Sequence, residues 1–147
     1  MNEKNTNSQE NLSIMDSLIQ LSFLVQGILT RVGAEHDVSI IQIRLFGILR
    51  DRELSMLQLA QYLDLDKSSI TGLINRAERR GLVERSNSPH DGRVVHVKVT
   101  AEGHQLIQVV SSKIGRQIKA ITDTLNDKES LQFRALASKM LFPLSQQ

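Results

Sequence analysis

The stretch that decides the fold reads DKSSITGLINRAERRGLVER over residues 66–85. Its apolar residues recur at the i, i+3, i+4, i+7 spacing of one helical face: Ile70, Leu73, Ile74 and Ala77. Asp66 offers a carboxylate to the free amides of a helix start, and Gly81 is the residue type that most often follows a helix end. The stretch therefore predicts a helix from Asp66 to Arg80 with one buried face and one polar, basic face.

A shorter helix is predicted just before this one. Ser55 followed by Gln58 forms a capping box, in which each side chain bonds the other residue's backbone amide. The apolar face that follows consists of Met56, Leu59, Ala60 and Leu63. Because only the connector around Asp64 separates the two helices, they are typical of a helix-turn-helix.

The chain then changes from a helical to an alternating pattern. Residues 82–85 predict a short strand, and residues 86–92 are dense in turn formers. Residues 94–99 alternate, which predicts a second strand and so a β-hairpin. A hairpin directly after a helix-turn-helix predicts a winged core over about residues 39–99.

Two helices are predicted ahead of the helix-turn-helix. The first is amphipathic from Leu12 to Val32, and Gly33 is expected to end it. Its apolar stripe consists of Ile14, Met15, Leu18, Leu21, Val25, Ile28, Leu29 and Val32. Ser39, paired with Gln42 in a second capping box, opens the next helix, which is expected to run to about residue 51.

Two more helices are predicted after the hairpin. Thr100 caps the first of them, and Asn126 or Asp127 starts the second. Their apolar stripes are Leu106, Val109, Val110, Ile114, Ile118, Ile121 and Leu125, then Leu131, Leu136, Met140, Leu141 and Leu144. Monomers avoid large exposed apolar patches, so the terminal helices, about residues 12–34 and 100–145, predict dimerisation. The fold class is mainly α (α+β), a winged helix-turn-helix core with long N- and C-terminal dimerisation helices.

Side chains suited to DNA follow the start of the helix that opens at Asp66. Free amides there attract phosphate, small hydroxyls approach base edges, arginine suits guanine and asparagine suits adenine. The DNA-binding residues predicted on this helix are Lys67, Ser68, Ser69, Thr71, Asn75 and Arg76. A solvated polar surface is the alternative interpretation.

The hairpin tip supplies a second set of DNA-binding candidates. His90, Asp91 and Arg93 lie in a turn shaped by Pro89 and Gly92. Arginine is favoured in a narrow minor groove, where negative potential is concentrated. Asp91 is expected to accept a hydrogen bond from the Arg93 guanidinium and hold it extended. The alternative is a surface ion pair worth at most about 1 kcal/mol.

Basic charge is concentrated in the middle of the sequence. The whole chain carries a formal net charge of +2. Between Lys67 and Lys98 there are seven basic and three acidic side chains, so the remainder is slightly acidic. A basic middle suggests contact with a polyanion, and double-stranded DNA is the predicted partner.

Composition and motifs argue against several other classes of protein. The chain has no cysteine, which excludes disulfides, thiolate zinc sites and thiol switches. A phosphate-binding Gly-rich loop and a local nucleophile motif are both absent, and Tyr62 is expected to pack beside the core. We therefore predict no enzyme activity, no catalytic residue and no cofactor.

Two other functions stay open at this point. A winged helix can serve as a protein-interaction module, since a fold does not fix a function. A metal-responsive regulator would need histidines to converge with carboxylates such as Asp91 or Glu102, but the spacing predicts no metal site. The histidines in question are His90, His96 and His104.

The N-terminal residues 1–11 are polar and are predicted to form a disordered tail ahead of a single domain at 12–147. They lack the apolar stretch of a signal peptide. No unbroken apolar run approaches the roughly 20 residues of a membrane span. The expectation is a cytoplasmic protein without a membrane partner.

Residues 55–103 resemble the MarR family of transcriptional regulators. The resemblance rests on residues 66–85 together with DGRVVHVKVTAEG at 91–103, an Asp-x-Arg wing followed by an apolar strand and Thr-x-x-Gly. Flanking helices extend it to about residues 12–144. One departure is Gly72, where the family often has a larger, frequently basic residue. This departure puts one base contact in doubt and permits close backbone approach.

The resemblance implies an obligate homodimer whose recognition helices enter successive major grooves of a pseudo-palindrome. It also implies a repressor or activator that responds to a small molecule, and our prediction is a repressor. In the family, effectors bind between the dimer helices and the DNA-binding lobe. Arg31, His36 and Arg44 are candidates to face a small aromatic or anionic effector, and the ligand residues themselves stay unassigned.

Overall fold

The computed structural model of the chain describes residues 11–88 and 90–143. The predicted tail, Asn11 apart, and the residues Pro89 and Leu144 lie outside them. The chain divides after Ile114 into two compact units. The elements are α1 (Ile14–Glu35), α2 (Ile40–Leu49), β1 (Leu54–Ser55), α3 (Met56–Leu63), α4 (Lys67–Arg79), β2 (Val83–Asn87), β3 (Val95–Val99), α5 (Ala101–Thr122) and α6 (Asp127–Leu141).

The helix starts are the ones that the capping patterns predict. Ser39 and Ser55 each complete a capping box, with Gln42 and Gln58. Asp66 caps α4 by accepting the backbone amide of Ser69 at 2.7 Å. These caps depend on residues three apart in sequence, which is why sequence reasoning finds them.

A three-stranded antiparallel sheet completes the winged core, with strand order β1-β3-β2. Val83 of β2 pairs with Val99 of β3, and Leu54 of β1 pairs with Val97 of β3. The two-residue β1 was not predicted, because its strand character comes from a partner more than 40 residues away. The sheet covers a core of leucine, isoleucine and valine that includes the predicted apolar face of α4.

Gly33 does not end α1, as we had expected. It lies in the last turn of a helix that runs to Glu35. A Cβ on Gly33 would collide with the backbone carbonyl of Val38, whose amide donates to the Gly33 carbonyl at 2.8 Å. The glycine is therefore needed for the close approach of the α1–α2 turn and not for a helix stop.

Most of α1 is exposed in the chain. Only Ile28, Val32 and Gly33 are buried, while Leu18 and Leu21 of the predicted stripe are 48% and 41% exposed. By length and composition alone, α1 is apolar enough to cross a membrane. A search of the sequence for an unbroken apolar run does not identify α1, whose apolar residues are interrupted by polar ones. Helices of soluble proteins can have the same length and hydropathy.

In the unit that begins at Gly115, α5 ends at Thr122. Leu125 was predicted to belong to this helix, but it lies in the turn that follows it. Asn126 is the N-cap of α6 and forms a capping box with Glu129. None of the α6 residues is buried. Its predicted stripe is open to solvent, with Leu131 and Leu136 both more than 60% exposed.

Candidate nucleic-acid interface

The outer face of α4 is set by its buried face. Ile70, Leu73, Ile74 and Ala77 pack into the core. At 3.6 residues per turn, the opposite side of the helix carries Ser68, Gly72 and Arg79. Sequence reasoning named Ser68 as a candidate but not Arg79. Arg79 is eleven residues, about three helical turns, beyond Ser68 and therefore lies on the same face of the helix.

The hydroxyls at the start of α4 are bonded to their own helix. Ser68 Oγ donates to Asp66 Oδ1 at 3.0 Å, and the same carboxylate oxygen accepts the Ser69 amide. These bonds, the Ser69 amide first, lower the pKa of Asp66, which is an exposed side chain. Thr71 Oγ1 donates to the Lys67 carbonyl at 2.7 Å. Each hydroxyl therefore presents mainly an oxygen acceptor to an incoming base.

Asn75 is held by the wing. Its Oδ1 accepts a 2.7 Å hydrogen bond from Arg85, whose other terminal nitrogen lies 2.7 Å from Glu78 Oε1. The side-chain oxygen that an adenine contact needs is thus shared with Arg85. Sequence reasoning missed Arg85 because the contact joins a strand to a helix ten residues away.

The seven cations of the basic segment separate into two groups. Three of them are bonded within the chain: Arg80 to the carbonyls of residues 36 and 37, Arg85 to Asn75 and Glu78, and Lys98 to Glu84. Within residues 11–88 and 90–143, the charged groups of the other four make no hydrogen bond and no ion pair. These four are Lys67, Arg76 and Arg79, which lie on α4, and Arg93, which lies in the wing.

The wing tip differs from the expectation in one contact. Asp91 Oδ1 accepts the backbone amide of Arg93 at 3.0 Å, and the Asp91 carbonyl accepts the Val94 amide. In the described part of the tip no ion pair joins Asp91 to the Arg93 guanidinium, so the predicted orienting bond is absent. Asp91 and Arg93 are only two residues apart, so the Arg93 backbone amide lies within hydrogen-bonding reach of the Asp91 carboxylate and takes the place expected for the guanidinium. His90 is exposed, and its amide is 3.3 Å from Ser88 Oγ.

A small apolar cavity lies between α2 and the first half of α5. Its volume is about 120 Å³. The wall residues are Val38, Ile43, Phe46, Gly47, Arg50, Leu106, Ile107, Val110, Ser111 and Ile114. Arg31, His36 and Arg44, which we had expected to face an effector, are not in this wall. Arg44 donates to the Tyr62 carbonyl, and His36 Nε2 lies 3.1 Å from Lys113 Nζ.

Histidine and carboxylate groups do not converge into a metal site among the residues described. His96 Nδ1 lies 3.7 Å from Glu53, with no further ligand in the pair. Tyr62, which was expected to pack beside the core, is 48% exposed. Arg52 covers its ring at 4.9 Å instead.

Comparison with known proteins places residues 36–94 in a family model described as the MarR family. The regulator FarR of Neisseria gonorrhoeae is 30% identical over half of this chain, and the match spans 51% of FarR. The regulator PecS of Dickeya dadantii is 24% identical over 95% of this chain and 86% of its own length. Both are named as HTH-type transcriptional regulators.

The fold is matched over nearly the whole chain by a solved structure. NadR, crystallised with 4-hydroxyphenylacetate, is 25% identical with a TM-score of 0.73, and the match covers 95% of this chain and 97% of NadR. The winged core, the exposed polar face of α4 and these matches all indicate a winged helix-turn-helix protein of the same kind. Residues 36–94, which carry the winged helix-turn-helix, match the MarR family, and nearly the whole chain shares the fold of NadR.

Proposed function

We propose that the protein is a sequence-specific repressor that binds a pseudo-palindromic operator as a homodimer. The observation that carries this proposal is the separation of the basic segment into bonded and unpaired cations. Lys67, Arg76, Arg79 and Arg93 are unpaired, and they lie on the two elements that a winged helix presents to DNA. Among the described residues, cations without a partner also occur on α1, α5 and α6. In the described part of the winged core, residues 39–88 and 90–99, they are confined to those two elements, because Arg44, Arg50 and Arg52 are bonded.

Two kinds of DNA contact follow from this arrangement. The four unpaired cations neutralise phosphates or read guanine, while Ser68, Ser69 and Thr71 offer oxygen acceptors near base edges. Asn75 shares its oxygen with Arg85 and acts chiefly by holding the helix to the wing. His90 and Asp91 belong to the tip that carries Arg93.

Selection of bound sequences from random DNA, followed by titration across salt concentrations, tests the proposal. We expect one enriched pseudo-palindrome and a steep fall of affinity with salt. A protein-interaction module would enrich no sequence and show no steep salt dependence. A reporter gene under the selected operator then separates repression from activation.

The homodimer is supported by the apolar side chains that α1 and α6 leave exposed. Two-fold pairing would bury them and set two recognition helices about 34–36 Å apart, one turn of DNA. Light scattering at micromolar concentration should give twice the chain mass of 16.5 kDa. Leu136→Glu should yield monomer, whereas Leu57→Glu, which changes an equally exposed leucine on α3, should leave the dimer intact.

Effector control is supported by the cavity between α2 and α5. At about 120 Å³ it is close to the size of engineered cavities, about 150 Å³, that bind benzene, so it suits one aromatic ring. Arg50 is the one cation in its wall and would face an anionic substituent. A thermal-shift screen of aromatic acids, 4-hydroxyphenylacetate included, tests this, and Gly47→Leu should abolish any shift by filling the cavity.

A regulator that binds chromosomal DNA works in the cytoplasm, and we place this protein there with no membrane partner. The exposed stripe of α1 is then a subunit contact and not a membrane span. Cell fractionation checks the placement, since a membrane-anchored protein would sediment with the membranes. We expect neither catalysis nor a cofactor, and the relatives FarR and PecS are named as transcriptional regulators.

A further inference from the structure

Gly72 leaves a groove in the middle of the outer face of α4. Besides Gly72, three apolar residues, Ile41, Leu65 and Leu73, and three polar ones, Ser68, Ser69 and Arg76, line the groove. Ile41 and Leu65 are only partly buried, so apolar surface is open to solvent between polar and basic side chains. A glycine inside a helix costs up to about 1 kcal/mol relative to alanine, so its place on this stripe calls for a reason.

Packing within the protein does not supply that reason. A Cβ built on Gly72 meets no backbone atom and no core side chain, and its one neighbour is Arg76 Nη1 at 3.3 Å. Gly33 and Gly103, by contrast, have carbonyl oxygens where a Cβ would lie. The free space at Gly72 therefore points outward, towards whatever α4 approaches.

Three of the predicted DNA-binding side chains of α4 have limited capacity to read bases by hydrogen bonding. Ser68 donates to Asp66, Thr71 to the Lys67 carbonyl, and Asn75 is bonded to Arg85. In the major groove, thymine differs from the other bases by a C5 methyl group, which is recognised by apolar contact. Apolar side chains that are open to solvent beside an unpaired arginine suit a methyl group carried by a polyanion.

Resting on the proposed DNA-binding function, we infer that the Gly72 groove receives the C5 methyl group of one thymine in each operator half-site. Gly72 and Leu65 contact the methyl, and Arg76 lies over the neighbouring base pair or phosphate. The glycine makes this recognition possible because a longer side chain would fill the groove.

The test replaces thymine by deoxyuridine, which lacks only the methyl group, at each position of the selected operator and in both half-sites. Burial of one methyl is worth about fourfold in affinity, so one thymine position should show a loss of about 16-fold over two half-sites. Gly72→Gln, a good helix former that fills the groove, should bind the thymine and uracil operators equally. Gly115→Gln, at an open helical glycine far along the chain, should keep the wild-type ratio.

Three results would overturn the inference. Tight operator binding with no thymine-to-uracil difference at any position would remove the methyl contact and leave the proposed function standing. A Gly72→Gln protein that keeps the wild-type ratio would place the methyl elsewhere. A uniform loss of affinity in Gly72→Gln without any effect of uracil would assign the groove to the DNA backbone. Failure of the wild-type protein to select any DNA would instead refute the proposed function itself.

Discussion

Arg85 of β2 and Asn75 of α4 are joined by a 2.7 Å hydrogen bond between a guanidinium nitrogen and the amide oxygen. The same guanidinium reaches Glu78 one turn further along the helix. The Arg85 side chain is only 26% exposed, so the contact is partly shielded from water. It joins α4 to β2, the first strand of the wing, and so connects the two elements on which the proposed DNA contacts lie.

We predict that Arg85→Ala weakens operator binding and lowers the free energy of unfolding by about 1–2 kcal/mol, because it removes two hydrogen bonds to a partly buried charged group. Urea denaturation and operator titration measure the two effects. Lys98→Ala breaks an ion pair of which both side chains are about half exposed, and should cost well under 1 kcal/mol. Equal losses in the two variants would contradict a special role for Arg85.

The helices, their caps and the hairpin are predictable because each depends on residues close together in sequence. Ser55 with Gln58 and Asp66 with Ser69 are local pairs. The apolar spacing of α4 likewise requires nothing beyond the helix itself. The same reasoning identified the wing from turn formers and alternation.

What sequence reasoning could not supply are contacts between distant segments. β1 exists because β3 lies beside it, and Gly33 is required by the Val38 carbonyl. Whether Arg79 or Arg80 is unpaired depends on the turn at residues 36–37, which only the folded chain brings to Arg80. The sequence therefore predicted suitable residue types for the site. It did not predict that Thr71 donates to the Lys67 carbonyl or that Asn75 accepts a hydrogen bond from Arg85.

The unpaired cations should determine the salt dependence of binding. We predict that Arg79→Ala lowers the slope of log affinity against log salt by about 0.9 per phosphate contact, hence about two units for a dimer. Lys98→Ala removes the same charge from a paired position and should change the slope much less. A similar change of slope in both variants would mean that net charge, and not the unpaired stripe, sets the electrostatic part of binding.

Gly103 should tolerate no side chain. A Cβ there would collide with the Leu82 carbonyl and lie 2.6 Å from Val99 Cγ1, at the junction of the wing and α5. We predict that Gly103→Ala costs about 1–3 kcal/mol of unfolding free energy. Gly115→Ala in the same helix meets nothing within 4 Å and should stabilise by up to about 1 kcal/mol. Urea denaturation of both variants measures the difference, and a neutral Gly103→Ala would contradict the close approach.

Asp66 should make stability depend on pH in the acid range. Hydrogen bonds from the Ser69 amide and the serine hydroxyls hold the pKa of Asp66 below its ordinary value of 3.8. A carboxyl whose folded pKa is lowered contributes stability above its unfolded pKa, and this contribution is lost as the pH falls through the folded pKa. We therefore expect the advantage of wild type to be complete near neutrality and to fade below about pH 4.

Asp66→Asn keeps an N-cap acceptor but cannot titrate. Urea midpoints of wild type and Asp66→Asn should converge as the pH falls from 7 to 3. The control is Asp51→Asn, which changes a highly exposed carboxylate outside any cap and should leave the urea midpoint at pH 7 nearly unchanged. A difference between wild type and Asp66→Asn that stayed constant down to pH 3 would show that the cap does not titrate in this range.

The wing tip gives the last prediction, since Asp91 binds the backbone of Arg93 and not its guanidinium. What holds the turn is then an oxygen acceptor at residue 91, with or without a charge. Asp91→Ala loses the acceptor and should weaken operator binding by loosening the segment that carries Arg93. Asp91→Asn keeps the acceptor and removes a negative charge next to DNA, so it should bind at least as tightly as wild type.

The two substitutions separate three explanations of the wing. If the carboxylate oriented the guanidinium, both variants would bind more weakly, because Asn offers Arg93 no charge. If Asp91 acted only through repulsion of phosphate, both would bind more tightly. Turn shaping alone predicts opposite signs, weaker for Asp91→Ala and equal or tighter for Asp91→Asn. Titration of one operator at several salt concentrations, with Arg93→Ala in both backgrounds, checks the signs. Because a loose tip no longer presents its arginine, Arg93→Ala should cost less affinity in the Asp91→Ala background than in wild type.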